Sequence, residues 1–185
     1  MVVLAAPGSA HAQDAPVPPV EVPRPPPLPR NVILADLGLH VVGVGYQRTL
    51  APWIALSVSL DAYDPWVQNQ NAFGLSGSEY RSDLIGAVVR VRPFFHPWSN
   101  APSGLWISPF AQAGFGRATA AGLVQTGAVW AIGLSVGYAI LLVRHLHISL
   151  GLGAQYHAAA FQGIDTSPSF GRFFPTVDII VGYAW

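Results

Sequence analysis

The sequence predicts an all-β chain: an eight-stranded antiparallel up-and-down barrel that crosses a membrane, behind a disordered Pro-rich N-terminal tail. Three observations predict it. Apolar residues alternate with small or polar ones in segment after segment, the pattern of strands whose successive side chains point to opposite faces. Charged residues are only 10% of the 185-residue chain and apolar residues 51%, a balance that suits lipid better than water. The connections between strands alternate short and long, as a barrel with two unlike ends requires.

Residues 1–12 read as the tail of a signal peptide. Val2-Val3-Leu4-Ala5-Ala6 is a short apolar run, and Ala10-His11-Ala12 is a small-x-small cleavage site before Gln13. Residues 13–30 form a Pro-rich linker. Pro16, Pro18, Pro19, Pro23, Pro25, Pro26, Pro27 and Pro29 exclude helix and central strand and favour an extended spacer. A Pro-rich ligand for a partner is the alternative. Residues 31–185 form the barrel.

The first strand, 31–37, is a short apolar run, and Gly38 to His40 turn the chain. In 41–48, Val42, Val44 and Tyr46 face one way, against Val41, Gly43, Gly45 and Gln47. After a tight connection at 49–52, the segment 53–63 sets Ile54, Leu56, Val58 and Leu60 against Ala55, Ser57, Ser59 and Asp61. A polar loop covers 64–80. In 82–92, Ile85, Ala87, Val89 and Val91 oppose Gly86, Val88, Arg90 and Arg92, and Pro93 is expected to break the strand. The segment 105–116 sets Leu105, Ile107, Ala111, Ala113 and Phe115 against Ser108, Phe110, Gln112 and Gly114. A loop is expected at 117–126. The segments 128–140 and 146–158 repeat the pattern, with a short turn between them. After a second polar loop, 159–172, the last strand sets Val177, Ile179, Val181, Tyr183 and Trp185 against Thr176, Asp178, Ile180, Gly182 and Ala184. Residues 128–143 also admit a spanning helix, with Gly133 and Gly137 at small-xxx-small spacing, but the run falls short of the ~20 residues a span needs.

The polarity of the two faces decides between lipid and water. The bulky face is continuous, and the opposite face is Gly, Ala, Ser, Gln and a few charges. Such small residues fit the interior of an eight-stranded barrel, which side chains nearly fill. The expected arrangement is apolar outside and polar inside, with Asp61, Arg90, Arg92 and Asp178 as a lumen network. Burial forces pairing, so Arg90 or Arg92 should meet Asp61 or Asp178. Aromatic residues sort by strand end. Tyr46, Trp53, Phe95, Tyr138, Tyr183 and Trp185 form a girdle at the periplasmic side, and Tyr63, Tyr80, Phe115, Trp130, Tyr156 and Phe174 gather at the outer side. Phe73, Leu75, Phe161, Ile164 and Phe170 are the expected contact residues of the outer loops.

Several chemistries are excluded or disfavoured. The absence of Cys removes disulfides, thiolate metal sites and cysteine nucleophiles. All nine basic residues are Arg, the formal net charge is zero, and no basic run points to nucleic acid. His145-Leu146-His147 places two imidazoles on one strand face, but no third ligand follows at metal spacing, so no metal is expected. No nucleophile elbow or phosphate loop occurs, so neither catalysis nor a cofactor is expected. Two alternatives stand beside the structural reading: a lipid-modifying barrel enzyme using His157 with Ser167 or Ser169, and a soluble lipocalin-like ligand-binding barrel.

The residues Asn31-Val32-Ile33-Leu34, then Val42-Gly-Val-Gly-Tyr-Gln-Arg48, then Trp53-Ile-Ala-Leu-Ser-Val-Ser-Leu-Asp-Ala-Tyr-Asp-Pro-Trp66 are similar to a family of small bacterial outer-membrane proteins of unknown function. Ile107-Ser-Pro-Phe-Ala-Gln-Ala-Gly-Phe-Gly116 resembles a strand common in OmpA- and OmpX-like barrels. Gly45 departs from the pattern, which often has an acidic residue before the aromatic. The terminal strand ending on Trp185 resembles the signal that the barrel-assembly machinery reads. The resemblance implies a Gram-negative outer membrane, outer-membrane lipid and that machinery as partners, and an unidentified extracellular partner for the loops. It carries no catalytic motif.

Overall fold

The computed structural model describes residues 28–63, 85–120, 123–161 and 172–185. Its strands are β1 (Asn31–Leu37), β2 (Val41–Ala51), β3 (Ile54–Tyr63), β4 (Ile85–Phe95), β5 (Gly104–Ala120), β6 (Leu123–Leu142), β7 (Leu146–Phe161) and β8 (Arg172–Ala184). Each pairs antiparallel with the next, and β1 pairs with β8, so the sheet closes into a barrel. Closure gives every strand a partner on both sides.

The two ends differ. Near one, here the terminal end, the amides of Arg30 and Asn31 donate to the Trp185 carbonyl, and the Trp185 amide donates back to Asn31. The β2–β3, β4–β5 and β6–β7 connections lie at this same end. The β1–β2 turn and the longer connections lie at the other, the distal end.

Side-chain direction follows the alternation. Val44, Val58, Leu60, Val89, Ile132 and Leu134 are exposed, while Gln47, Ser57, Ser59, Arg90, Ser108 and Gln112 are buried. Among the described residues, the exposed arginines Arg30, Arg48, Arg117 and Arg144 all stand at or near a strand end. The outer face between them carries no charge among those residues.

Several boundaries differ from the sequence-based ones. Pro93 does not end β4, which runs to Phe95 with Pro93 opposite Leu56. The expected loop at 117–126 is largely ladder, with Arg117 opposite Thr126 and Ala120 opposite Leu123. Backbone pairing carries this hairpin beyond the reach of the hydrophobic alternation that marks its first half. The 128–143 run belongs mostly to β6, and no helix among the described residues is long and apolar enough to cross a membrane.

Candidate functional site

The lumen is stacked in three tiers. At the terminal end Val32, Leu34, Ala55, Phe94, Ala101, Trp106, Ala139, Ile180 and Ala184 form an apolar cluster. Ala101 belongs to the β4–β5 connection, which folds back into the barrel mouth. The His96 amide donates to the Trp53 carbonyl and the Ala101 amide to the Pro52 carbonyl, both at 2.8 Å. Trp106 has room because it lies over Gly137 and Gly151, where a Cβ would strike its ring. Its Nε1 donates to Ser149 Oγ at 2.8 Å, meeting the requirement that a buried indole N–H find a partner.

The middle tier is ionic. Arg90 Nη1 donates to Asp36 Oδ2 at 2.9 Å and lies 3.6 Å from Asp178 Oδ1. Arg92 Nη2 donates to Asp178 Oδ2 at 2.9 Å, and its Nη1 lies 3.9 Å from Asp36. Arg90 Nε also donates to Gln112 Oε1 at 3.0 Å. Aromatic faces cover both cations: Phe110 lies 4.6 Å from the Arg90 guanidinium carbon, and Phe94 5.0 Å from that of Arg92. Two acids and two arginines from three strands therefore neutralise one another in a site closed to solvent, the arrangement that buried charge requires.

Asp61 stands outside these pairs. Its Oδ2 accepts from Ser59 Oγ at 2.7 Å, and its Oδ1 has no hydrogen-bond partner. Asp36 takes the place expected for it. The run 31–37 reads as apolar on both faces, which hides the inward parity of Val32, Leu34 and Asp36. Phe94 and Trp106 also escaped the sequence reading, as did the role of Phe110 beneath Arg90. For Trp106 and Phe110 the signal was the glycine opposite the ring: a Cβ at Gly133 would strike Phe110 as one at Gly137 would strike Trp106.

The distal tier joins Val41, Tyr63, Val88, Val129 and Phe161 with two imidazoles. Tyr63 Oη and His157 Nδ1 are 2.8 Å apart. The His157 ring lies 5.9 Å from that of His40 and 4.4 Å from that of Phe174. Burial pushes the His40 imidazole down to about 4, a hydrogen bond with the Pro175 backbone opposing the shift and the Arg90 charge adding to it.

This tier corrects three expectations. Tyr63 and Phe174 sit at the distal end but face the lumen, because they share strand parity with Asp61 and Asp178. Phe161 is not a loop contact: it is the last residue of β7, buried at 7% exposure. Tyr80, Phe73, Leu75, Ile164, Phe170, Ser167 and Ser169 lie outside the described residues. His145 and His147 also part company. His145 is exposed in the β6–β7 turn, stacked on Tyr183, whereas His147 turns inward and its Nε2 lies 3.1 Å from the Pro102 carbonyl.

On the outside, Tyr46, Trp53, Tyr138, Tyr183 and Trp185 are all exposed at the terminal end. Tyr46 and Tyr183 each approach Trp185, with ring centres 6.4 and 6.3 Å away, and Trp53 stacks on Phe95. At the distal end Tyr156 contacts both Trp130 and Phe173, and Phe115 is exposed nearby.

No family model and no curated protein matches the chain. Among solved structures it is similar to Acinetobacter baumannii CarO, at 14% identity and a TM-score of 0.47, covering 85% of this chain and 98% of that one. It is also similar to the N-terminal β-barrel domain of Pseudomonas aeruginosa OprF, at 13% identity and a TM-score of 0.45, covering 84% and 96%. A third is A. baumannii CarO2, at 13% and 0.45, covering 85% and 99%. The barrel assignment rests on this chain's own strand pairing.

Proposed function

We propose that the chain is an integral protein of the outer membrane of a Gram-negative bacterium, a filled barrel without an open pore or enzymatic activity. Its role is structural or interactive and is exerted through the connections at 64–84 and 162–171. The observation that carries this reading is the inverted polarity of the barrel. Among the described residues the exterior is an apolar belt with arginines only near strand ends and aromatic residues toward both ends, while ionised groups are buried inside. A bilayer solvates such a belt, and water does not. A soluble lipocalin-like barrel would need the opposite arrangement.

In this reading residues 1–12 are a signal peptide, 13–30 a periplasmic spacer, and β8 with the adjoining Trp185 the contact with the assembly machinery. The apolar cluster around Trp106 and the Arg90–Arg92 network support a lumen that conducts nothing. His157 is engaged with Tyr63 inside the barrel, a place that favours a packing role over lipid modification.

The test is detergent refolding of the mature chain, read by cold against boiled gel migration, circular dichroism and planar-bilayer recording. A heat-modifiable band, a strand spectrum and no conductance steps are expected. Stable steps would overturn the sealed lumen, and a mature chain soluble without detergent would overturn the membrane assignment.

A further inference from the structure

The apolar tier at the terminal end hides a polar hollow. Gln47 of β2, His147 and Ser149 of β7, and His96 and Pro102 of the β4–β5 connection line it, together with Phe94, Trp106 and Ala139. It has no room for a water molecule. His96, His147 and Gln47 are each 2% exposed, yet both ring nitrogens of His96, Nδ1 of His147 and Oε1 of Gln47 lack hydrogen-bond partners. Buried polar atoms are normally paired, and a group of them around one hollow calls for a ligand.

The tautomer of His147 narrows the chemistry. A carbonyl can only accept, so the contact with Pro102 O makes Nε2 the N–H of the ring and leaves Nδ1 with a lone pair. Metal-ligating histidines share this arrangement, one nitrogen donating to a backbone carbonyl while the other binds. The His96 ring faces the Ser103 backbone without reaching hydrogen-bond geometry. No three His, Cys, Asp or Glu side chains cluster at a metal-binding distance among the described residues. The third donor here is an amide oxygen.

We propose that this hollow is a site for a borderline divalent transition ion, Cu²⁺, Zn²⁺ or Ni²⁺, held by His96, His147 and Gln47. Two imidazoles and an amide oxygen match the preferences of these ions. A bare ion binds nitrogen at about 2.0–2.1 Å, well inside the contact distance of water, so a hollow too small for water is no bar to it. The ion ties the inward-folded connection to β2 and β7, fastening the terminal end of the lumen.

The test uses the untagged, refolded full barrel and Cu²⁺ alone as the probe. One Cu²⁺ per chain is expected, with a paramagnetic-resonance spectrum showing coupling to two nitrogens. His96→Ala, on the connection and outside the sheet, should weaken binding at least tenfold and remove one nitrogen coupling. His147→Gln should do the same, with heat-modifiable migration checking that each variant has folded. His40→Ala and His145→Ala should bind as the unaltered chain does. Failure of the unaltered barrel to bind Cu²⁺, or unchanged affinity and coupling in folded His96→Ala, would overturn the site and leave only adventitious surface binding.

Discussion

Arg90 and Asp36 meet at 2.9 Å across the lumen, from β4 and β1, two strands that share no edge. The contact is side chain to side chain through the barrel interior. Removing one partner of a buried pair leaves an uncompensated charge, at a cost of about 3–5 kcal/mol. Asp36→Ala should fall at the lower end of that range, because Asp178 also stands 3.6 Å from Arg90. Urea unfolding of the refolded barrel, followed by tryptophan fluorescence, measures it.

Asp61 provides the contrast. Its one hydrogen bond comes from Ser59, and an amide oxygen can still accept that bond, more weakly than a carboxylate. Asp61→Asn should therefore change stability by less than about 1 kcal/mol, whereas Asp36→Asn should cost clearly more. Equal losses in the two variants would show that Asp61 also carries one of the arginines.

Trp106 tests the fit of ring against glycine. A side chain at position 137 or 151 would enter the volume its indole occupies. Gly137→Val and Gly151→Val should each destabilise the barrel by about 1–3 kcal/mol, the usual cost of overpacking. Shifts in the urea midpoint measure both.

The pH dependence has a definite sign at His40. The unfolded imidazole titrates near 6.5 and the folded one at about 4, so between these values the unfolded chain binds the extra proton. Stability from this group is complete above pH 6.5, declines as pH falls toward 4, and is flat below. The full decline amounts to about 3 kcal/mol. His40→Asn should lose this part of the slope, seen by comparing urea midpoints of the two proteins at pH 8, 6 and 4.

Much of the architecture was legible in the sequence because one physical rule, period-two alternation across a sheet with one apolar face, repeats along the chain. The eight strands and the outward direction of Val44, Leu60 and Ile132 follow from it. Strand ends were less legible: hydrogen bonding continues past the last apolar residue, as in the β5–β6 hairpin, and Pro93 is accommodated where the β4–β5 pairing lapses between Val91 and Phe95. In the lumen, Arg92 and Asp178 stood out as charges on an otherwise small-residue face. Asp36 did not, because Val32 and Leu34 are apolar on that same inward face and mask its parity. Which acid meets which arginine depends on the shear of the closed sheet, a relation among distant strands that no local pattern encodes.

The β1–β8 ladder is the shortest in the barrel, with five paired residues from Val32 to Asp36. It joins the first strand made to the last. On either side of it stand Asp36 and Asp178, and both reach arginines on β4, halfway around the wall. Zipping the seam therefore completes the neutralisation of the interior. With the last strand unpaired, Asp178 is withdrawn: Arg92 loses its 2.9 Å partner and Arg90 one of its two carboxylates, so an open seam leaves the arginines short of counter-charge. The arginines act as a latch: they sit on the far wall and hold shut a door hung between the two ends of the chain.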